Sequence, residues 1–246
     1  MDGASRSKSL GCWCTVLSLT VQLAAAGGCS TYVGTTSKSF LSQVKNSTDP
    51  NVRYVAYAKL GSPGAYEDKA HKTEAVGTLI AKYQEGREPV AIRAVIIRSL
   101  GTLGDQRARH VVIKAVNDSE AVIRVEGCRA LGKVGLPEDA TILARIMTVD
   151  TLEDCRIAAI EGLGSLKSKD PRIHRILLDG MDHDDPAIRY ECLNALRQIT
   201  GKDLGVDPAP WRKALEPTPE STPSATKTSK TSSPAQVEPA PTGKLP

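Results

Sequence analysis

The sequence has no strong charge imbalance and no catalytic signature. Its 32 Lys and Arg stand against 28 Asp and Glu, a formal charge of +4, which gives no electrostatic footprint for nucleic acid. Neither a Gly-rich phosphate loop nor a nucleophile motif appears, which removes the usual sequence grounds for phosphoryl transfer or nucleophilic catalysis. The four histidines, His71, His110, His174 and His183, are scattered, whereas a zinc site needs clustered ligands. Six cysteines are present. Cys12 and Cys14 lie in an apolar stretch unsuited to a metal. Cys128, Cys155 and Cys192 form an odd set at different helical registers. Neighbouring helices ~8–10 Å apart put sequential pairs beyond the Cα separation of ~5.5–6 Å that a disulfide needs. They are read as small buried apolar residues. No sheet is expected, because helical segments alternating with short Gly, Asp and Pro turns leave no room for one.

What the sequence does contain is a repeat. The stretch Ala121–Gly135 is echoed at fixed places around Arg53, Arg93, Arg124, Arg156 and Arg189, at intervals of 40, 31, 32 and 33 residues. One place before each Arg stands Val52, Ile92, Ile123, Cys155 or Ile188, and seven places after it Leu60, Leu100, Leu131, Leu163 or Leu196. Eight places after it the first four copies carry Gly61, Gly101, Gly132 and Gly164. A period of this length marks stacked supersecondary units, not one globular core. Places −1, +3, +7 and +10 share one stripe of an α-helix. The +3 residues Ala56, Gly127, Ala159 and Cys192 and the +6 residues Ala130, Gly162 and Ala195 are small, so a second helix can approach closely. The +8 glycines suit a left-handed helix end or a sharp turn. Each helix is too short to stand alone in water and must bury its stripe on a neighbour.

A second helix belongs to each copy. Phe40, Leu41 and Val44 mark the first. Val76, Leu79, Ile80 and Tyr83 mark a long one within 66–83 that accounts for the first interval. Val111, Val112, Ala115 and Val116 mark the third, within 105–116. Pro137 opens the fourth, with Ile142, Leu143, Ile146 and Met147; Asp170-Pro171 opens the fifth by N-cap and N1 chemistry, with Ile173, Ile176, Leu177 and Met181. Asp207-Pro208 starts a last short helix whose Trp211 and Leu215 are placed to cover the open end of the stack.

Asp49-Pro50-Asn51-Val52-Arg53, Asp185-Pro186-Ala187-Ile188-Arg189 and Ala130-Leu131-Gly132 resemble the HEAT repeat, in particular the short bacterial type shared with bilin-lyase-like proteins. The resemblance covers residues 49–200. It implies an all-α solenoid of about five helix pairs and says little about function, since HEAT arrays serve unrelated roles. HEAT-like deoxyhypusine hydroxylases hold two irons on paired His-Glu motifs. No histidine here is followed by Glu, and His183-Asp184 is the nearest approach. Bilin-lyase-like proteins act on a cytoplasmic pigment system, whereas this chain reads as exported.

Export is read from residues 1–28. Arg6 and Lys8 precede an uncharged apolar run from Leu10 to Ala26, too short to favour a spanning anchor. Ala26-Gly27-Gly28-Cys29 resembles a bacterial lipobox. That resemblance implies cleavage before Cys29, a lipid on its thiol, and, with Ser30 next, the periplasmic face of the outer membrane. Residues 29–36 are then a linker and 37–216 the solenoid with its cap. The 217–246 tail, rich in Pro, Ser and Thr, has no apolar run and is expected to be disordered.

Two constellations are candidates for function. The column Arg53, Arg93, Arg124, Arg156 and Arg189 is expected to form an inter-repeat ladder, each Arg bonding an acid of the preceding turn: Asp49, Glu88, Asp118, Asp154 or Asp185. Registers +2, +5 and +9 should point away from the packed stripe. There the strip runs from apolar through basic to acidic, and Arg98, Glu126, Arg129, Lys133, Glu161, Glu191 and Asn194 are the candidate face for an extended polypeptide. The expectation is a monomeric, lipid-anchored scaffold of the bacterial cell envelope that binds a protein partner. It is expected not to be an enzyme and to take no cofactor, metal or nucleic acid; the alternatives are a bilin-lyase-like or metal-dependent hydroxylase-like enzyme, or a purely structural envelope protein.

Overall fold

The structure is a computed structural model that describes residues 34–215. The signal segment, Cys29 and the 217–246 tail lie outside the described residues. Five helix pairs follow one another: α1 (Ser37–Asn46) with α2 (Pro50–Leu60), α3 (Lys69–Glu85) with α4 (Val90–Leu103), α5 (Arg109–Val116) with α6 (Ala121–Val134), α7 (Ala140–Val149) with α8 (Glu153–Leu166), and α9 (Pro171–Gly180) with α10 (Pro186–Thr200); α11 (Pro208–Leu215) closes the array. Among the described residues there is no strand, and no helix is long and apolar enough to cross a membrane. This is the all-α solenoid that the repeat implies.

Local chemistry places the helix starts. Asp49, Asp170 and Asp185 each cap a helix, accepting the N–H of Asn51, Arg172 and Ala187 at 2.8–2.9 Å, and Pro50, Pro171 and Pro186 follow at N1. There the missing proline N–H costs nothing. Three starts differ from the sequence expectation. Gln106–Ala108 and Pro137–Asp139 are 3₁₀ turns that precede α5 and α7, and α3 begins at Lys69, where Asp68 caps it.

The second helices, α2, α4, α6, α8 and α10, pack directly on one another and form the inner layer. The first helices lie outside and touch each other far less. The +8 glycines hold the inner seam together. A Cβ on Gly101 would stand 2.7 Å from the Cα of Ala130, on Gly132 2.7 Å from that of Gly162, on Gly164 3.0 Å from that of Ala195, and on Gly61 2.9 Å from that of Ser99. Every +8 glycine thus meets the small +6 residue of the next copy. The expected helix-end role is corrected: Gly101, Gly132 and Gly164 lie inside their helices, and Gly61 follows α2 with right-handed φ. Left-handed ends of inner helices fall later, at Gly104, Lys167 and Gly201. Inner helices approach backbone to backbone, so a side chain at +8 has no room.

The core is one apolar cluster running the length of the stack, and Cys128, Cys155 and Cys192 belong to it as free, buried thiols. Burial pushes Cys128 and Cys192 up to about 12. Trp211 is fully buried under the last pair, and its indole N–H donates to the Gly205 carbonyl at 2.9 Å. A large apolar side chain with its one donor satisfied ends the stack.

Candidate functional site

The arginine column sits in the first turn of each inner helix. A helical side chain leans toward the N-terminus of its helix, so each guanidinium overhangs the loops that lead into the inner layer. Arg53 reaches Glu88, with Nε 3.0 Å from Oε1 and Nη2 3.0 Å from Oε2. Arg93 Nη2 lies 2.6 Å from Asp118, and Arg124 Nε 2.8 Å from Asp150. The acid therefore comes from the next copy, not from the preceding turn. The expected partners Asp49 and Asp185 are spent on capping their own helices. Arg53, Arg124 and Arg189 also clamp their own incoming loops: Arg53 donates to the Ser47 carbonyl, Arg124 to those of Asp118 and Ser119, and Arg189 to those of His183 and Asp184.

The aspartate at place −6 does two things at once. Asp118 and Asp150 each accept the backbone N–H two residues on, from Glu120 and Leu152, and each gives its carboxylate to the arginine of the preceding copy. At place −6 of the last copy stands His183. Its Nδ1 accepts the Asp185 N–H at 3.0 Å, but an imidazole offers no second acceptor for an arginine. Among the described residues Arg156 makes no hydrogen bond to a carboxylate of the next copy; its Nε is buried without a partner, as is that of Arg93, and the carboxylate whose charge it meets is Glu153 of its own helix. The ladder has three rungs, not five. The hydrogen bond from Arg124 holds the Asp150 carboxyl below the usual range, and that of Glu88 raises Arg53. Burial and the adjacent Glu88 carboxylate push the Tyr57 phenol, which donates to Glu88, well above its ordinary range.

The candidate partner face is rearranged in a second way. Arg98 bonds Glu126 of the next helix, and Arg129 Nε lies 2.7 Å from Glu161. Charges expected to face solvent singly are thus cross-linked between neighbouring inner helices. Place +2 points outward only in part: Val95, Glu126 and Ala158 are buried, whereas Val55 is exposed. Glu191 and Asn194 are half-buried, and Lys133 is exposed.

Hollows lie between successive inner helices. The first, about 260 Å³, is lined by Tyr54, Ala58, Val95, Arg98 and Thr102 among others. The second, about 330 Å³, shares Arg98 and Thr102 with it and adds Glu126, Arg129 and Lys133. The third, about 750 Å³, shares Glu126 and Arg129 with the second and adds Val122, Val125, Leu152 and Glu153. Shared walls make them one trough across α2, α4, α6 and α8.

The histidines are dispersed. His71 pairs with Asp68, His110 meets Gln84, His174 meets the Ser168 carbonyl, and His183 caps a turn. Among the described residues no three His, Cys, Asp or Glu side chains converge as metal ligands. A further pair escaped the sequence reading. Asp139, buried, accepts from Arg109 and from the Leu136 N–H at 2.8 Å. Burial works to raise this carboxyl, yet those donors hold it below the usual range. It occurs in one copy only, so no periodicity announced it.

Residues 76–164 match the family described as HEAT repeats, and the helix pairs on either side of that stretch continue the same α-solenoid. Its fold is similar to that of the phycocyanin lyase complex of CpcE and CpcF from Nostoc sp. PCC7120, with a TM-score of 0.58 and 18% identity over 71% of this chain and 68% of that chain. It is also similar to an engineered protein, with a TM-score of 0.51 and 16% identity over 66% and 78%. No curated protein matches the chain. The likeness to a lyase overturns the expectation that the chain is not an enzyme: this solenoid architecture occurs in a lyase complex, so missing catalytic motifs do not argue against catalysis.

Proposed function

We propose that this solenoid is a scaffold that binds a polypeptide partner along its inner face and is held at the bacterial cell envelope by a lipid on Cys29. The observation that carries the binding role is the trough, continuous over four inner helices and walled by fixed charges and exposed apolar side chains. An extended concave surface of this kind is what stacked helix pairs offer to a chain-like ligand. The fold likeness adds support, since CpcE and CpcF form a complex with each other. Anchoring rests on the positive start, the apolar run and Ala26-Gly27-Gly28-Cys29. Photo-crosslinkers placed at Thr102 and Lys133 in intact cells should capture a stoichiometric protein. Capture of none would end the scaffold reading. Mass spectrometry should find a lipidated Cys29 at the mature N-terminus, and an unmodified Cys29 would remove the anchor. A second reading, a lyase-like enzyme subunit, is supported by the same likeness. Incubation with a bilin would then give pigment transferred to a protein acceptor, and an unchanged acceptor spectrum would count against it.

A further inference from the structure

Arg98 and Arg129 occupy the same place, +5, on adjacent inner helices, α4 and α6. Their side chains are 57% and 43% exposed. Each spends one N–H on a glutamate of the next helix, which fixes the guanidinium and leaves most of its five donors uncommitted. Lys133 stands exposed in the wall of the same hollow. The middle of the trough therefore presents held cations one helix step apart, ~8–10 Å. The ends differ. One is lined by Tyr54 and Ala58, the other by Val122, Val125 and Leu152. Glu153 and Asp154 line that second end as well.

A polyproline II segment repeats every three residues at ~3.1 Å per residue, which matches the helix step. Successive side chains on one face of such a segment meet successive inner helices. We propose that the trough takes an acidic, extended, proline-rich segment of a partner protein. Two carboxylates three residues apart meet Arg98 and Arg129, and apolar residues three further out fill the end hollows. The inference rests on the scaffold reading and supplies the chemistry of its partner. Glu153 and Asp154 repel further acid, which sets where the segment ends. The apolar ends and those acids favour a polypeptide over a nucleic acid strand, the other chain-like anion.

The test uses mature full-length protein and a labelled proline-rich peptide with two glutamates three residues apart, flanked by leucines three residues further out. Fluorescence anisotropy should show binding that weakens with salt and falls about tenfold for each glutamate changed to glutamine. Arg129→Gln should weaken binding by a similar factor. Arg98→Gln leaves Glu126 buried without its partner, so Arg98→Gln with Glu126→Gln serves as the second variant, its fold checked by circular dichroism. Equal binding of the glutamine peptide would overturn the proposal, as would displacement of the probe by a single-stranded oligonucleotide at lower concentration. No binding of the probe, with crosslinks at Thr102 and Lys133 still capturing a protein, would overturn the acidic segment and leave the scaffold standing. Loss of both would sink the scaffold too.

Discussion

Among the described residues Arg156 has no rung to the next copy, and His183 stands at the place from which Arg93 and Arg124 receive their carboxylates. Asp118 and Asp150 at that place cap a turn with one oxygen and hold the preceding arginine with the carboxylate; His183 does only the first. His183→Asp should supply the missing rung and raise stability by ~0.5–1.5 kcal/mol, read as a shift in denaturant midpoint at constant m. His183→Asn keeps a cap acceptor without the charge and should gain less. Equal midpoints for the two variants would refute the missing-rung account.

Arg124 and Arg189 occupy equivalent places but do different amounts. Arg124 holds the largely buried Asp150 and two loop carbonyls, whereas Arg189 is exposed and holds carbonyls only. Arg124→Ala should cost ~1–3 kcal/mol and Arg189→Ala under ~1 kcal/mol. A double-mutant cycle with Asp150→Ala checks that the difference lies in the pair. A coupling energy near zero would move the cost to the carbonyl clamps.

Asp150 gives a pH signature. In the folded state the Arg124 hydrogen bond holds its carboxyl below the usual carboxylate range. A depressed carboxylate contributes stability that is present above the unfolded pKa and lost as pH falls through the folded one. The stability gap between the wild type and Asp150→Asn should be constant from about pH 5 to 7 and close below about pH 4. A gap unchanged down to pH 2 would show that the pair contributes no linkage.

Lys167 ends α8 with φ +50, where α4 ends on Gly104 with φ +67. A side chain in the left-handed region costs ~1 kcal/mol that glycine avoids. Lys167→Gly should raise the melting temperature by a few degrees. A fall would mean that the lysine side chain makes up for its backbone.

The architecture was legible because its causes are local or periodic. Asp-Pro pairs at 49–50, 170–171 and 185–186 start helices by themselves, and Leu at +7 recurs where the core recurs. What failed depends on the neighbouring copy. The +8 glycines satisfy a local helix-end rule on paper, yet their role is set by Ala130, Gly162 and Ala195 one copy on. An arginine next to Asp49 in sequence finds Glu88 in space, since Asp49 already caps α2. The candidate face was half legible: its members were recognised, but the Arg98–Glu126 and Arg129–Glu161 links were not. Only the register between helices, which the small +6 and +8 residues set, brings those charges together.

The three buried thiols have a practical meaning. Cys128, Cys155 and Cys192 lie in α6, α8 and α10, one to a copy, each shielded from solvent and raised in pKa. A thiol in that state reacts with a labelling reagent only when its own stretch of the stack opens. Three consecutive copies thus carry their own clocks. Alkylation rates resolved by peptide would rank the opening of each layer without an added probe, and Cys192, beyond the junction at Arg156, should tick fastest.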